Sequence, residues 1–104
     1  MFWGSDPVRG RPMIFVVIGQ DGPDGQPLRK RHRAAHLARI EKVNAEGRLM
    51  LAGPFSDGTG SLIVFEAASL EEARAWMAAD PYVTEGIFVR YEVKPFNPVY
   101  PKPQ

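Results

Sequence analysis

Six consecutive apolar residues, Met13 to Ile18, constrain this chain more than any other stretch of it. The run is far short of the roughly 20 residues a membrane-crossing helix needs, but it has the length of a β-strand. Side chains alternate across a strand, so Met13, Phe15 and Val17 face one way while Ile14, Val16 and Ile18 face the other. A second segment, Ser61 to Glu66, repeats the arrangement with Leu62 and Val64 set against Ile63 and Phe65. A sheet with one wet face alternates apolar with polar residues. A sheet built on these two strands needs cover on both faces.

The punctuation of the chain supplies cover for one of them. Residues 1–12, MFWGSDPVRGRP, have no periodicity and no apolar stretch of the signal-peptide kind. They read as an N-terminal extension, expected to be disordered, ahead of one domain over residues 13–104. Gly19 ends the first strand, and Gln20 to Leu28 reads as a loop. Lys30 to Glu46 follows as a helix with Leu37, Ile40 and Val43 on its apolar stripe and Gly47 as a left-handed C-terminal cap. Leu49 to Ala52 and Ser61 to Glu66 form strands joined by GPFSDGTG, a hairpin loop. Ser69 with Glu72 three residues on is a capping box that opens a second helix, with Leu70, Ala73 and Met77 inward. Pro81 stops that helix after Asp80. A last strand runs from Gly86 to Lys94, and the tail PFNPVYPKPQ has too many prolines to continue it and should be extended.

Strand, helix, strand, strand, helix, strand is the ferredoxin-like βαββαβ order of the α+β class, with two helices on one face of an antiparallel sheet. The helix-free face then still needs a partner. A second copy of the same face is the simplest one, which makes the expected assembly a two-fold homodimer.

Composition removes several function classes. A chain of 104 residues fits a single domain, and the absence of cysteine excludes disulfides and thiolate metal sites. A net charge of +1 gives no general attraction to nucleic acid or anionic membrane, and a cytoplasmic location is the default expectation. No P-loop, dinucleotide fingerprint, nucleophile elbow or HExxH helix occurs, and no His/Asp/Glu cluster has metal-ligand spacing. No cofactor is expected.

The residues left to carry chemistry are few. His36, Ile40 and Val43 stand at i, i+4 and i+7, which puts an imidazole on the helix face that presses on the sheet. The plain alternative is a satisfied histidine at a core edge, so a functional reading needs a partner. Asp80 continues the inward series Ala73, Met77, Asp80 at the C-terminal end of the second helix, where the macrodipole disfavours an anion. Asp-Pro is also an ordinary helix stop. The two helices lie side by side, however, and both residues are inward, so a His36–Asp80 pair would give an oriented imidazole for proton transfer near neutrality. Arg33 lies one turn before His36 on the same side. The basic run from Arg29 to Arg33 is either a solvated face or an attraction for a small anion, and without interleaved aromatics it is weak evidence for nucleic acid.

The segments RHRAAHLARIEKVNAEGRLMLAGPF, GSLIVFEAASLEEARAWMAADPYVTEGIF and YEVKPFNPV, in that order, resemble the YciI-like proteins of the dimeric α+β barrel superfamily. The resemblance extends from Met13 to Pro98. It implies a ferredoxin-like protomer, a dimer through the sheet face and a pocket holding a histidine and an aspartate. By motif, the family's R-x-x-H-L pattern falls on Arg33 and His36, and its D-P-Y pattern on Asp80. Most such proteins have no assigned reaction, while relatives include a dehydrochlorinase of chlorinated hydroxyhydroquinones and, more distantly, muconolactone isomerase. The expectation is a cofactor-independent lyase or isomerase-like enzyme in which His36 moves a proton on a small cyclic or aromatic anion, Asp80 orients it and Arg33 holds the anion. The alternative is a non-catalytic dimer that binds a metabolite or a protein partner.

Overall fold

The computed structural model describes residues 13–101, and the expected extension over residues 1–12 lies outside them. The elements are β1 (Met13–Asp21), α1 (Gly25–Ala45), β2 (Leu49–Pro54), β3 (Gly60–Ala67), α2 (Leu70–Ala78), α3 (Pro81–Thr84) and β4 (Phe88–Phe96). All three strand pairings are antiparallel, in the order β2-β3-β1-β4. The most apolar strands are therefore the two central ones.

Register explains which side chains are covered. Phe15 pairs with Phe65, and Val17 with both Ile63 and Val93. Phe15, Val17, Ile63 and Phe65 are sealed in one core with Ile40 and Val43 of α1 and Ala73 and Met77 of α2. Burying a side chain of this size is worth about 1.5–3 kcal/mol, so this face anchors the protomer. The alternate set ends differently: Ile14 is buried, Val16, Leu62 and Val64 are half-buried, and Ile18, Leu51 and Phe96 are 42%, 53% and 51% exposed. The helix-free face thus leaves apolar side chains open within one protomer, beside Glu66, Glu92 and Lys94 on the same face.

Several boundaries differ from the sequence expectation for identifiable reasons. α1 begins at Gly25 rather than Lys30, with no side-chain cap from Asp24 and with Pro27 in its first turn. Proline is tolerated there because its missing N–H would have no intrahelical partner. Leu37 is 51% exposed, off the stripe rather than on it. It follows His36 by one residue, about 100° round the helix, whereas Arg29, His36, Ile40 and Val43 form the buried stripe. β4 starts at Phe88, after Gly86 at φ +79°, and carries Pro95 inside it. β4 is an edge strand, so a missing N–H costs little there.

Two caps match the expectation closely. At the end of α1, Gly47 has φ +75°, its N–H donates to Asn44 O, and Arg48 N–H donates to Val43 O. That is the Schellman arrangement. At the start of α2, Glu72 N–H donates to Ser69 Oγ at 3.0 Å, and Glu72 Oε1 accepts from Ala68 N–H at 2.9 Å.

Candidate functional site

The site forms where α1 passes the junction between α2 and α3. Asp80 does not sit in the last turn of a helix, as its spacing predicts; α2 ends at Ala78, and Asp80 is the N-cap of the short α3 with Pro81 at the first helical position. The proline restarts the chain as a helix one residue after Asp80, so the carboxylate meets the positive end of a new turn. Its Oδ2 accepts from Tyr82 N–H at 3.0 Å. The same turn thereby brings Tyr82 into the core.

His36 and Asp80 come together across the two helices, with Nδ1 of His36 donating to Asp80 Oδ2 at 2.7 Å. An ionised carboxylate only accepts, so it fixes the proton on Nδ1 and leaves Nε2 as the nitrogen with a free lone pair. The other carboxylate oxygen, Oδ1, accepts from Arg39 Nη1 at 2.8 Å. Asp80 is fully buried. Burial pushes its carboxyl up, but the bond and charge of His36, the Tyr82 amide and the Arg39 bond together hold it below the usual carboxylate range. It stays charged where an unpaired buried acid would not.

The imidazole is held on a second side by Tyr82, whose ring stacks on it at 3.8 Å between centroids and 5° between planes. Phe88 meets the edge of Tyr82 at 5.6 Å. The His36 side chain keeps 8% of its surface exposed. No buried side-chain nitrogen or oxygen among the described residues lacks a partner, and Nε2 has none among them. Nε2 is thus the nitrogen of His36 that no other described residue engages.

The arginines divide differently from the expectation. Arg33 is exposed, and its side chain makes no hydrogen bond or ion pair among the described residues. Arg29, two turns before His36, is buried instead; Nε and Nη2 grip Asp21 at 2.7 and 2.9 Å, and Nη2 also donates to Ser61 Oγ at 2.8 Å. Its guanidinium carbon lies 5.1 Å from the Tyr82 ring centre. Arg39 lies over the Trp76 ring at 4.7 Å. Sequence reasoning thus missed Arg39 and Tyr82 and read Arg29 only as the first member of the basic run. Arg39 had a signal, three residues after His36 on the same helix face. Tyr82 had none local to it, because its ring meets His36 only through the turn that Pro81 starts.

Among the described residues, no three His, Cys, Asp or Glu side chains gather as metal ligands, and no helix is long and apolar enough to cross a membrane.

The chain and its fold have counterparts among known proteins. The description of the YCII-related domain matches residues 13–97. Protein YciI of Escherichia coli O6:H1 is 41% identical over 98 residues, which covers 85% of this chain and all of that protein. Among solved structures, 5-chloro-2-hydroxyhydroquinone dehydrochlorinase from Burkholderia phenoliruptrix, in complex with 2,5-dihydroxybenzoquinone, superposes with a TM-score of 0.72. It is 29% identical, over 81% of this chain and 93% of the enzyme. A NIPSNAP-like domain protein from Burkholderia xenovorans matches with a TM-score of 0.57 at 19% identity over 92% of each chain, a likeness of fold alone. The fold is that of the dimeric α+β barrel proteins. On the span of the domain match and the identity across the whole of its YciI relative, this chain belongs to the YCII-related family.

Proposed function

We propose that the protein is a cofactor-independent lyase or isomerase-like enzyme acting on a small cyclic or aromatic anion, with His36 as the proton-transfer residue. The observation that carries this reading is the oriented imidazole: Nδ1 tied to a buried, charged Asp80, and Nε2 unpartnered among the described residues on a side chain that keeps 8% of its surface exposed. In this role Nε2 takes a proton from a ring hydroxyl or carbon, and Asp80 holds the tautomer and stabilises the imidazolium that forms. Arg33, exposed one turn before His36, draws the anion to the mouth of the site. Support for the substrate class comes from the dehydrochlorinase with its bound dihydroxybenzoquinone, a planar ring carrying acidic hydroxyls.

The test uses the same kind of compound. Wild-type protein is expected to release chloride from 5-chloro-2-hydroxyhydroquinone and to bind 2,5-dihydroxybenzoquinone. His36→Ala is expected to lower turnover by about 10²-fold or more, the usual contribution of a general acid or base. Turnover unchanged in a folded His36→Ala protein sinks the reading.

A second reading has its own observation. Asp80 is sealed and His36 nearly so, as in a structural pair that locks two helices together. In that case His36→Ala destabilises the fold while ligand binding stays as it was, and the protein is a non-catalytic binding module. Under either reading we propose that two copies pair through the helix-free sheet face, where Ile18, Leu51 and Phe96 stand exposed.

A further inference from the structure

Around Arg39, which bonds Asp80, the surface dips into a bowl of about 240 Å³ lined by Arg39, Lys42, Val43, Glu46, Arg48 and Trp76. Two helices and a turn contribute to it: α1, the turn that follows α1, and α2. Its lining sets three cations against one carboxylate. That carboxylate is already engaged, since Glu46 Oε1 accepts from Arg48 Nε at 3.0 Å and from Arg48 Nη2 at 2.7 Å. Lys42 has no acidic partner within ion-pair distance among the described residues. Arg39 uses Nη1 on Asp80 and has no partner among them for its remaining N–H groups. The indole N–H of Trp76, the floor of the bowl, likewise has none. A lysine in the last turn of a helix also answers the helix dipole, which accounts for Lys42 but not for the convergence of Arg39 and Arg48 on the same space. Donors outnumber acceptors here, since Glu46 Oε2 is the one carboxylate oxygen of the lining without a partner among the described residues.

We propose that this bowl binds a small dianionic oxyanion, and that its occupant governs how firmly Asp80 holds His36. The bowl touches the dyad through one residue. Arg39 spans from the bowl to Asp80 Oδ1, while His36 takes Oδ2. An oxyanion bonded to Arg39 draws the guanidinium from Asp80 and leaves the carboxylate charge to His36, which favours the imidazolium. Coupling is reciprocal, so protonation of His36 must tighten the anion by the same factor that the anion favours protonation. The other group packed on His36 is Tyr82 from α3; Arg33 is exposed one turn earlier on the same helix, and Arg29 lies beyond Tyr82 and is bonded to Asp21 of β1. None of them lines the bowl. The coupling is a property of charge and geometry and holds whether or not His36 is catalytic.

Proton NMR titration of the histidine C2 protons tests this on the full chain, with His32→Gln used to assign His36. Sulfate stays dianionic throughout the titration and is added against chloride at matched ionic strength. The expected result is a His36 midpoint that rises with sulfate by an amount equivalent to at least about a 5-fold coupling. Lys42→Met, which removes a charge from the bowl without touching the dyad, should weaken sulfate binding about 10-fold. Arg39→Gln should raise the midpoint without sulfate and abolish the response to it. Methyl phosphate in place of sulfate separates the sources: a larger shift assigns the bowl to phosphate esters, and a smaller one to free oxyanions. A His36 midpoint indifferent to both anions overturns the proposal, as does an equal response in Lys42→Met. Neither result bears on turnover, which stands or falls with His36→Ala.

Discussion

Asp80 and Glu66 are both buried carboxylates, one under the helices and one on the open face of the sheet, and the protein treats them in opposite ways. Asp80 receives three donors, from His36, Arg39 and the Tyr82 amide, and is held below the usual carboxylate range. Glu66 is 8% exposed, and no hydrogen bond to its carboxylate is found among the described residues; burial pushes it up, with only the charge of Arg48 in opposition. Arg48 lies close, but its Nη1 donates to the Glu66 backbone carbonyl. Burial alone disfavours charge; a buried charge persists only where donors have been arranged around it. The helix-covered side has been arranged to keep an anion, and the open side has not.

The sharpest way to break this contrast is to remove the favoured carboxylate. Asp80→Ala strands Arg39, frees His36 and uncaps α3, and is expected to cost about 3 kcal/mol in urea unfolding, in the range for breaking a buried ion pair. A loss below about 1 kcal/mol would mean that the three bonds contribute little more than surface contacts.

A charge on the open face should act on association instead. Leu51→Asp is expected to weaken pairing of two copies by at least about tenfold in sedimentation experiments while leaving unfolding of the protomer nearly unchanged. A protomer that never paired would show no change in mass, and the proposed use of that face would be wrong.

The smallest effect concerns pH, and its sign differs between the two acids. Asp80 is held low when folded, so its contribution is present above the usual carboxylate range near pH 4 and is lost as pH falls through its own lowered value. Glu66 is raised when folded, so its contribution is present below the ordinary value and is lost as pH rises through the raised one. Glu66→Gln should therefore stabilise the protein at neutral pH, by at most about 1 kcal/mol, and make no difference in acid. Comparing urea midpoints at pH 4 and pH 7 checks the sign.

Much of this was legible in the sequence, and the gaps have physical causes. Apolar residues on both faces of β1 and β3 dictate central strands, and the capping box and Gly47 mark helix ends, because these signals act within a few residues of themselves. His36 stood out because an imidazole interrupts an apolar stripe. Arg29 was hidden for want of a cap: with no side-chain bond from Asp24 and a proline in the first turn, nothing local marks Gly25 as the start of α1, and so Arg29 reads as the first member of a basic run at the helix start and not as part of the buried stripe. Which arginine of a basic run goes inside is decided by Asp21 on β1, eight residues upstream and on another element. Arg39 and Trp76 meet by the same long-range logic.

The turn at Asp80 has a last consequence. One carboxylate aims the imidazole and, through the Tyr82 amide, begins the helix whose tyrosine stacks on that imidazole. Orientation of the imidazole is therefore completed when the chain folds, by bonds and stacking within the protomer itself. Chemistry and architecture at this corner form one cooperative unit, so that substitutions which loosen the turn dull the site even when they never touch His36.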